Sequence, residues 1–241
     1  MPLALINDQA LLFAHVPKTG GSSIEQYMRE RGKVGLVTGG IPEGMETTPQ
    51  HMTWSASNMM MPKTFRDHAF AVLRDPVDRL ASEFRMRILG SEQVLGLNPL
   101  NWLSYFLTRF RGGTLHRVRL FRMTLLLDFD TWVFIVLAVN RFKPTLYDNH
   151  IRPQSDFVAD DCHLFLFENG LEKVFAWIDE KCGTPAGDRS FHVRKGLDMQ
   201  LVVSERTRRR IEAFYRSDMQ LIQRVKLSET EIDTAGNATL Q

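Results

Sequence analysis

An α/β fold, with a mostly parallel central sheet flanked by helices, is predicted by three observations. Short apolar runs at 10–16, 69–73 and 164–168 read as buried strands. Each is followed by a turn and then a segment of helical spacing, which implies right-handed crossovers between parallel strands. The turns "PKTGGSS" at 17–23 and "RDP" at 74–76 then fall at strand ends, where open parallel sheets hold their ligands.

The elements follow in chain order. After the first strand, the glycines break the run and Ile24–Arg31 is expected to be helical. Residues 32–49 hold five Gly and two Pro and read as a loop-rich connection. Behind the 69–73 strand, Val77, Leu80, Ala81, Phe84 and Ile88 share one helical face. Pro76 suits the first turn of that helix and Asp75 its cap. Helices are also expected over 98–111, 129–140 and Leu171–Lys181. A single longer helix is predicted over Ser204–Val225, with Ile211, Phe214, Tyr215, Met219 and Ile222 as its apolar stripe and a polar tail fraying from about 228.

The 241 residues can bury a core without a metal or disulfide, and one domain spanning 1–241 is expected. Thirty basic residues against 28 acidic ones argue against a nucleic-acid coating protein, and no zinc, RNP-like or basic-zipper pattern is present. Cys162 and Cys182 form neither a redox pair nor a zinc motif, and free thiols are expected ahead of a disulfide. The apolar run at 132–139 is far shorter than the ~20 residues that span a bilayer. Without a signal-peptide pattern, a soluble cytoplasmic protein is expected, with peripheral membrane contact left open.

The first loop carries anion chemistry. Gly20 and Gly21 permit tight turning, Thr19, Ser22 and Ser23 supply hydroxyls, and Lys18 adds charge at the start of a helix whose N–H groups attract anions. It is not the ATP-binding GxxxxGK[ST] pattern, because Lys18 precedes the glycines. Arg74 offers forked phosphate contacts and Ser82 a hydroxyl two turns further along. An Arg74–Asp78 ion pair with a surface Ser82 is the plainer alternative. The segment 109–122 holds five Arg and His116 without an acid. It is either an electropositive rim or a solvated basic helix and turn.

With these stretches in view, the sequence resembles the P-loop-fold sulfotransferases. More narrowly, it resembles the carbohydrate-type branch related to heparan sulfate 2-O-sulfotransferases and their bacterial relatives. The resemblance is carried by "FAHVPKTGGSSI" at 13–24, "HMTW" at 51–54, "AFAVLRDPVDRLASEFRM" at 69–86 and "NHIRPQSDFV" at 149–158. It continues through "LFLFENGLEKVFAWI" at 164–178 and "RRRIEAFYRSDMQLI" at 208–222.

The resemblance implies a P-loop NTPase-like sulfotransferase fold and 3′-phosphoadenylyl sulfate (PAPS) as donor, with 3′,5′-ADP (PAP) as product and no metal. Lys18, Thr19, Gly20, Gly21, Ser22 and Ser23 would hold the 5′-phosphosulfate, and Arg74 and Ser82 the 3′-phosphate. Lys18 would also act in catalysis, on charge developing at the leaving oxygen. His51 matches the general base, taking a proton from an acceptor hydroxyl for direct in-line transfer, with His150 as rival.

Arg152 and Gln154 would bind a carbohydrate or glycolipid-like acceptor alongside His150, or else pin their loop. Lys195, in "HVRKG", falls where relatives close a loop on the nucleotide. Relatives in the secretory pathway usually carry a membrane anchor, and its absence here favours a bacterial cytosolic enzyme. The competing classes are a P-loop kinase, which needs Mg²⁺ ligands, and a non-catalytic nucleotide-binding protein.

Overall fold

The computed structural model describes residues 1–88, 114–120, 123–186, 199 and 201–238. The helix expected over 98–111, much of the Arg-rich segment and Lys195 lie outside these residues.

Two strands, β1 (Leu3–Ile6) and β2 (Gln9–Ala14), form an antiparallel hairpin. Its two-residue turn, Asn7–Asp8, has φ of 45° and 62°. These are the left-handed values that suit strand twist and that Asn and Asp tolerate. Helix α1 (Gly21–Arg29) follows β2, and β3 (Lys33–Gly35) returns antiparallel to β1. A short helix α2 (Trp54–Met60) precedes β4 (His68–Leu73), which feeds α3 (Pro76–Arg87).

The antiparallel pair β5 (His116–Leu120) and β6 (Met123–Leu127) leads to α4 (Phe129–Asn140). After β7 (His163–Leu166) come α5 (Glu172–Cys182), α6 (Glu205–Phe214) and α7 (Arg216–Ala238).

The central sheet has the order β3-β1-β2-β4-β7. β2, β4 and β7 are the strands expected from sequence and pair in parallel. The two pairings made by β1 are antiparallel, so the sheet is mixed and not mostly parallel. Alternation along the strands covers both faces. Phe13, Phe70 and Val72 pack on Ile24, Tyr27, Val174 and Phe175 of α1 and α5. Leu12, Ala69, Ala71 and Leu73 pack on Leu221, Ile222 and Val225 of α7. A further core joins α3, β5–β6, α4 and α6 around Trp132.

Two further expectations change. Part of the Arg-rich segment is strand, not helix, because Val118 and Leu120 alternate inward against Leu125 and Leu127. The predicted Ser204–Val225 helix breaks at Tyr215 (φ −100°, ψ 34°), whose buried hydroxyl donates to Ile151 O at 2.6 Å. Beyond it the helical backbone runs on to Ala238. Cys162 and Cys182 are free thiols.

Asp179 clamps α5 to α1. It accepts from Tyr27 Oη at 2.6 Å, Arg31 Nε at 2.8 Å and Thr184 Oγ1 at 3.0 Å. Burial alone would raise its carboxyl, but these bonds outweigh burial and hold it below 3.8. Its folded pKa is therefore depressed. Its stabilisation is present above pH 3.8 and is lost as pH falls through the folded value. Asp179→Asn is expected to cost about 2–4 kcal/mol at pH 7, since it weakens charge-assisted bonds in a buried site. Denaturant unfolding checks this, and equal midpoints for variant and wild type would reject the clamp.

Candidate active site

The parallel register sets Ala14 beside Ala71, so the loops leaving β2 and β4 emerge side by side. They are tied together: Arg74 Nη1 donates to Lys18 O at 3.1 Å, and the guanidinium stacks over Phe167 at 4.5 Å. The fully buried Gln154 holds the strand end from behind. Its Oε1 accepts from Arg74 N at 3.0 Å and its Nε2 donates to Arg74 O at 2.8 Å.

Lys18 itself has φ 72°, and its Nζ lies 3.5 Å from Met86 Sδ. Burial lowers its ammonium from 10.5. Glu83 opposes that shift, and Arg74 and Arg87 add to it. Cations of two elements thus converge on one loop.

The two helix starts differ. Asp75 caps α3, accepting from Val77 N at 2.8 Å and Asp78 N at 3.2 Å. At α1 the cap is Gly20, which has no side chain, and no acid occupies the first turn. Ser23 N and Ile24 N donate to Gly20 O at 3.0 and 3.3 Å, while Gly21 N and Ser22 N make no hydrogen bond among the described residues and are available to an anion. Thr19 is fully buried and donates to Val16 O at 2.8 Å. Ser23 is buried and Ser22 exposed. Ser82 is partly exposed on α3 and makes no hydrogen bond among the described residues.

Gly20 needs its left-handed φ of 86°, and Gly21 needs to lack a side chain. A Cβ on Gly21 would lie 1.8 Å from His15 Nε2. Gly21→Ala is expected to displace His15 and α1, costing about 1–3 kcal/mol. Gly39→Ala meets nothing within 4 Å and is the neutral control. Thermal melts distinguish them, and matching midpoints would reject the packing constraint.

His15 connects the loop to a row of imidazoles. Its ring centroid is 4.8 Å from that of His51, which is 4.9 Å from that of His150. Each has a carboxylate at Nδ1. Glu25 lies 2.9 Å from His15, in close charge contact but off the hydrogen-bond direction. Asp148 Oδ2 lies 2.6 Å from His51, and Glu83 Oε2 2.7 Å from His150. Thr48 donates to Asp148 through both its N (2.6 Å) and Oγ1 (2.7 Å).

Burial drives the His51 pKa from 6.5 down to about 4 against the pull of Asp148. Burial alone would raise Asp148, but the bonds from His51 and Thr48 outweigh it and hold the carboxyl low. At neutral pH the pair is thus a neutral imidazole donating Nδ1–H to a carboxylate. Nε2 is the nitrogen with a free lone pair.

A left-handed turn supplies the carboxylate. Tyr147, Asp148 and Asn149 have φ of 53°, 59° and 65°. Asn149 Nδ2 donates to His51 O at 2.7 Å, and Arg87 stacks over the Tyr147 ring at 3.9 Å. The next residues are held by Arg79, fully buried, which donates to His150 O at 3.1 Å and Arg152 O at 2.7 Å. Arg152 pairs with Asp156 at 2.9 Å, and Asp218 accepts from Gln154 N and Ser155 N. Sequence reasoning missed Asp148, Glu83 and Arg79. The "DN" before His150 was a signal for the turn, since Asp and Asn are the side chains that enter the left-handed region most readily.

A mixed α/β fold brings an uncapped helix start between cations next to an imidazole–carboxylate pair, an arrangement suited to group transfer. The model of the sulfotransferase family matches residues 3–175. The chain belongs to that family, whose chemistry is sulfuryl transfer. No curated protein and no solved structure matches significantly. Among the described residues, no helix is long and apolar enough to cross a membrane.

Proposed function

We propose that the chain moves a sulfuryl group from PAPS to a hydroxyl of a carbohydrate or glycolipid-like acceptor. In this reading it is one catalytic domain with a P-loop-like donor site, akin to the heparan sulfate 2-O branch. The observation that carries the reading is the single ring of His15 between the α1 start and His51. It sets an anion cradle and a neutral imidazole side by side.

The residues fit the donor. Lys18 and the uncapped N–H groups of α1 suit the phosphosulfate, and Arg74 with Ser82 a second phosphate. The donor supplies an activated sulfuryl group, and the chain does the rest. His51 Nε2 takes the proton of the acceptor hydroxyl as its oxygen bonds to sulfur. Asp148 holds the Nδ1–H tautomer and stabilises the imidazolium. Lys18 and the α1 N–H groups stabilise charge on the departing phosphate oxygen. We assign Gln154 to positioning Arg74, because both ends of its amide are engaged there.

Calorimetry with PAP and PAPS tests the reading. Stoichiometric binding of both is expected, with no Mg²⁺-dependent ATP consumption. Absence of binding to either nucleotide rejects it.

A further inference from the structure

We propose that His51, Asp148 and His150 form a binding site for a zinc-class divalent cation, and that its occupancy switches off transfer. One ligand atom from each of the three lies within 4.8 Å of the other two. Ligands of tetrahedral Zn²⁺ at ~2.0–2.1 Å from the metal stand about 3.4 Å apart. The required closure is therefore of side-chain scale.

Part of the set is already assembled. His51 Nδ1 and Asp148 Oδ2 face each other at 2.6 Å across one proton. A cation taking that proton's place needs the pair to open by less than about 1 Å. The third ligand is prepared in the manner of metal-bound histidines. Glu83 holds His150 Nδ1 at 2.7 Å, leaves Nε2 for the metal, and is itself held by Arg87 Nε at 2.7 Å.

Two imidazoles and one carboxylate suit Zn²⁺, Co²⁺ or Ni²⁺, whereas Mg²⁺ and Ca²⁺ require oxygen-rich shells. Asp148 and His150 are only half-buried, which gives the ion an entry and leaves a coordination position for water. The three-ligand open arrangement is also found at catalytic zinc, but here the ion would consume the base. With Nδ1 on the metal, the imidazole proton moves to Nε2 and the lone pair that takes the acceptor proton is gone. Binding stands on the geometry alone; the inhibition rests on His51 being the base.

Cobalt titration of the full chain tests the site without reference to activity. One equivalent of Co²⁺ should give an intense tetrahedral visible band that Zn²⁺ displaces. Asp148→Asn and His150→Ala should each weaken cobalt affinity more than tenfold. Absence of a one-to-one band, or wild-type cobalt affinity in either variant, overturns the site.

Should either variant fail to fold, the wild type decides through imidazole ¹⁵N spectra. One equivalent of Zn²⁺ should shift His51 and His150, and shifts confined to His68 and His163 overturn the proposal. Zn²⁺ should also abolish sulfuryl transfer reversibly, with chelator restoring it. A shift at His51 with undiminished transfer overturns the inhibition and the base assignment together.

Discussion

Replacing His51 by Ala should lower turnover about 100- to 10,000-fold, the range a positioned general base supplies. The donor dissociation constant should stay within about twofold, because the α1 start and Arg74 are untouched by the change. The physical reason is the division of labour within one ring. Nδ1 is committed to Asp148 and burial keeps the ring neutral, so in the proposed reaction Nε2 acts only on the acceptor proton. Single-turnover transfer alongside PAP calorimetry separates the two effects. Turnover within threefold of wild type would remove His51 from the chemistry and leave His150 as the base.

Arg79→Met should be the most damaging change away from the reacting atoms. Its guanidinium is fully buried and bonds the carbonyls of His150 and Arg152 on either side of Ile151. Met matches the stem but leaves those carbonyls without a charged donor in the interior. A loss of about 2–4 kcal/mol follows from two charge-assisted bonds partly offset by not burying a cation. For a chain of this size that lowers the melting midpoint by roughly 5–15 °C. Transfer should fall together with stability even at temperatures where the variant is folded, because the loop that places His150 and Asp148 loosens. An unchanged midpoint would show that other contacts fix the loop.

How far the sequence disclosed this architecture depends on the range of the forces involved. β2, β4 and β7 were legible because apolar runs followed by turn chemistry are local signals. The Asp75 cap of α3 was legible for the same reason. The β1 hairpin was not read, although its Asn7–Asp8 turn is a local signal, and β3 is three residues in a loop-rich stretch that pairs with β1. The break at Tyr215 was hidden, because the contact its hydroxyl makes there is with Ile151 O, 64 residues earlier.

The candidate site divides similarly. Lys18 to Ser23 and Arg74 announce themselves through composition at strand ends. Asp148 lies 97 residues from the histidine it bonds, and Glu83 presents itself in sequence as one more polar position of an amphipathic helix. Only the folded chain brings them to imidazoles.

The turn at Tyr147–Asn149 has a further consequence for anyone who would make this protein more robust. Three consecutive side-chain-bearing residues sit in the left-handed region, each at a cost of about 1–2 kcal/mol. Glycine substitutions would relax the backbone there, so selection for heat tolerance alone would favour them. The same substitutions delete the Arg87 platform, the His51 carboxylate or the Asn149 tether. Durability and turnover thus compete within a single three-residue segment. A stabilisation campaign should draw its substitutions from elsewhere.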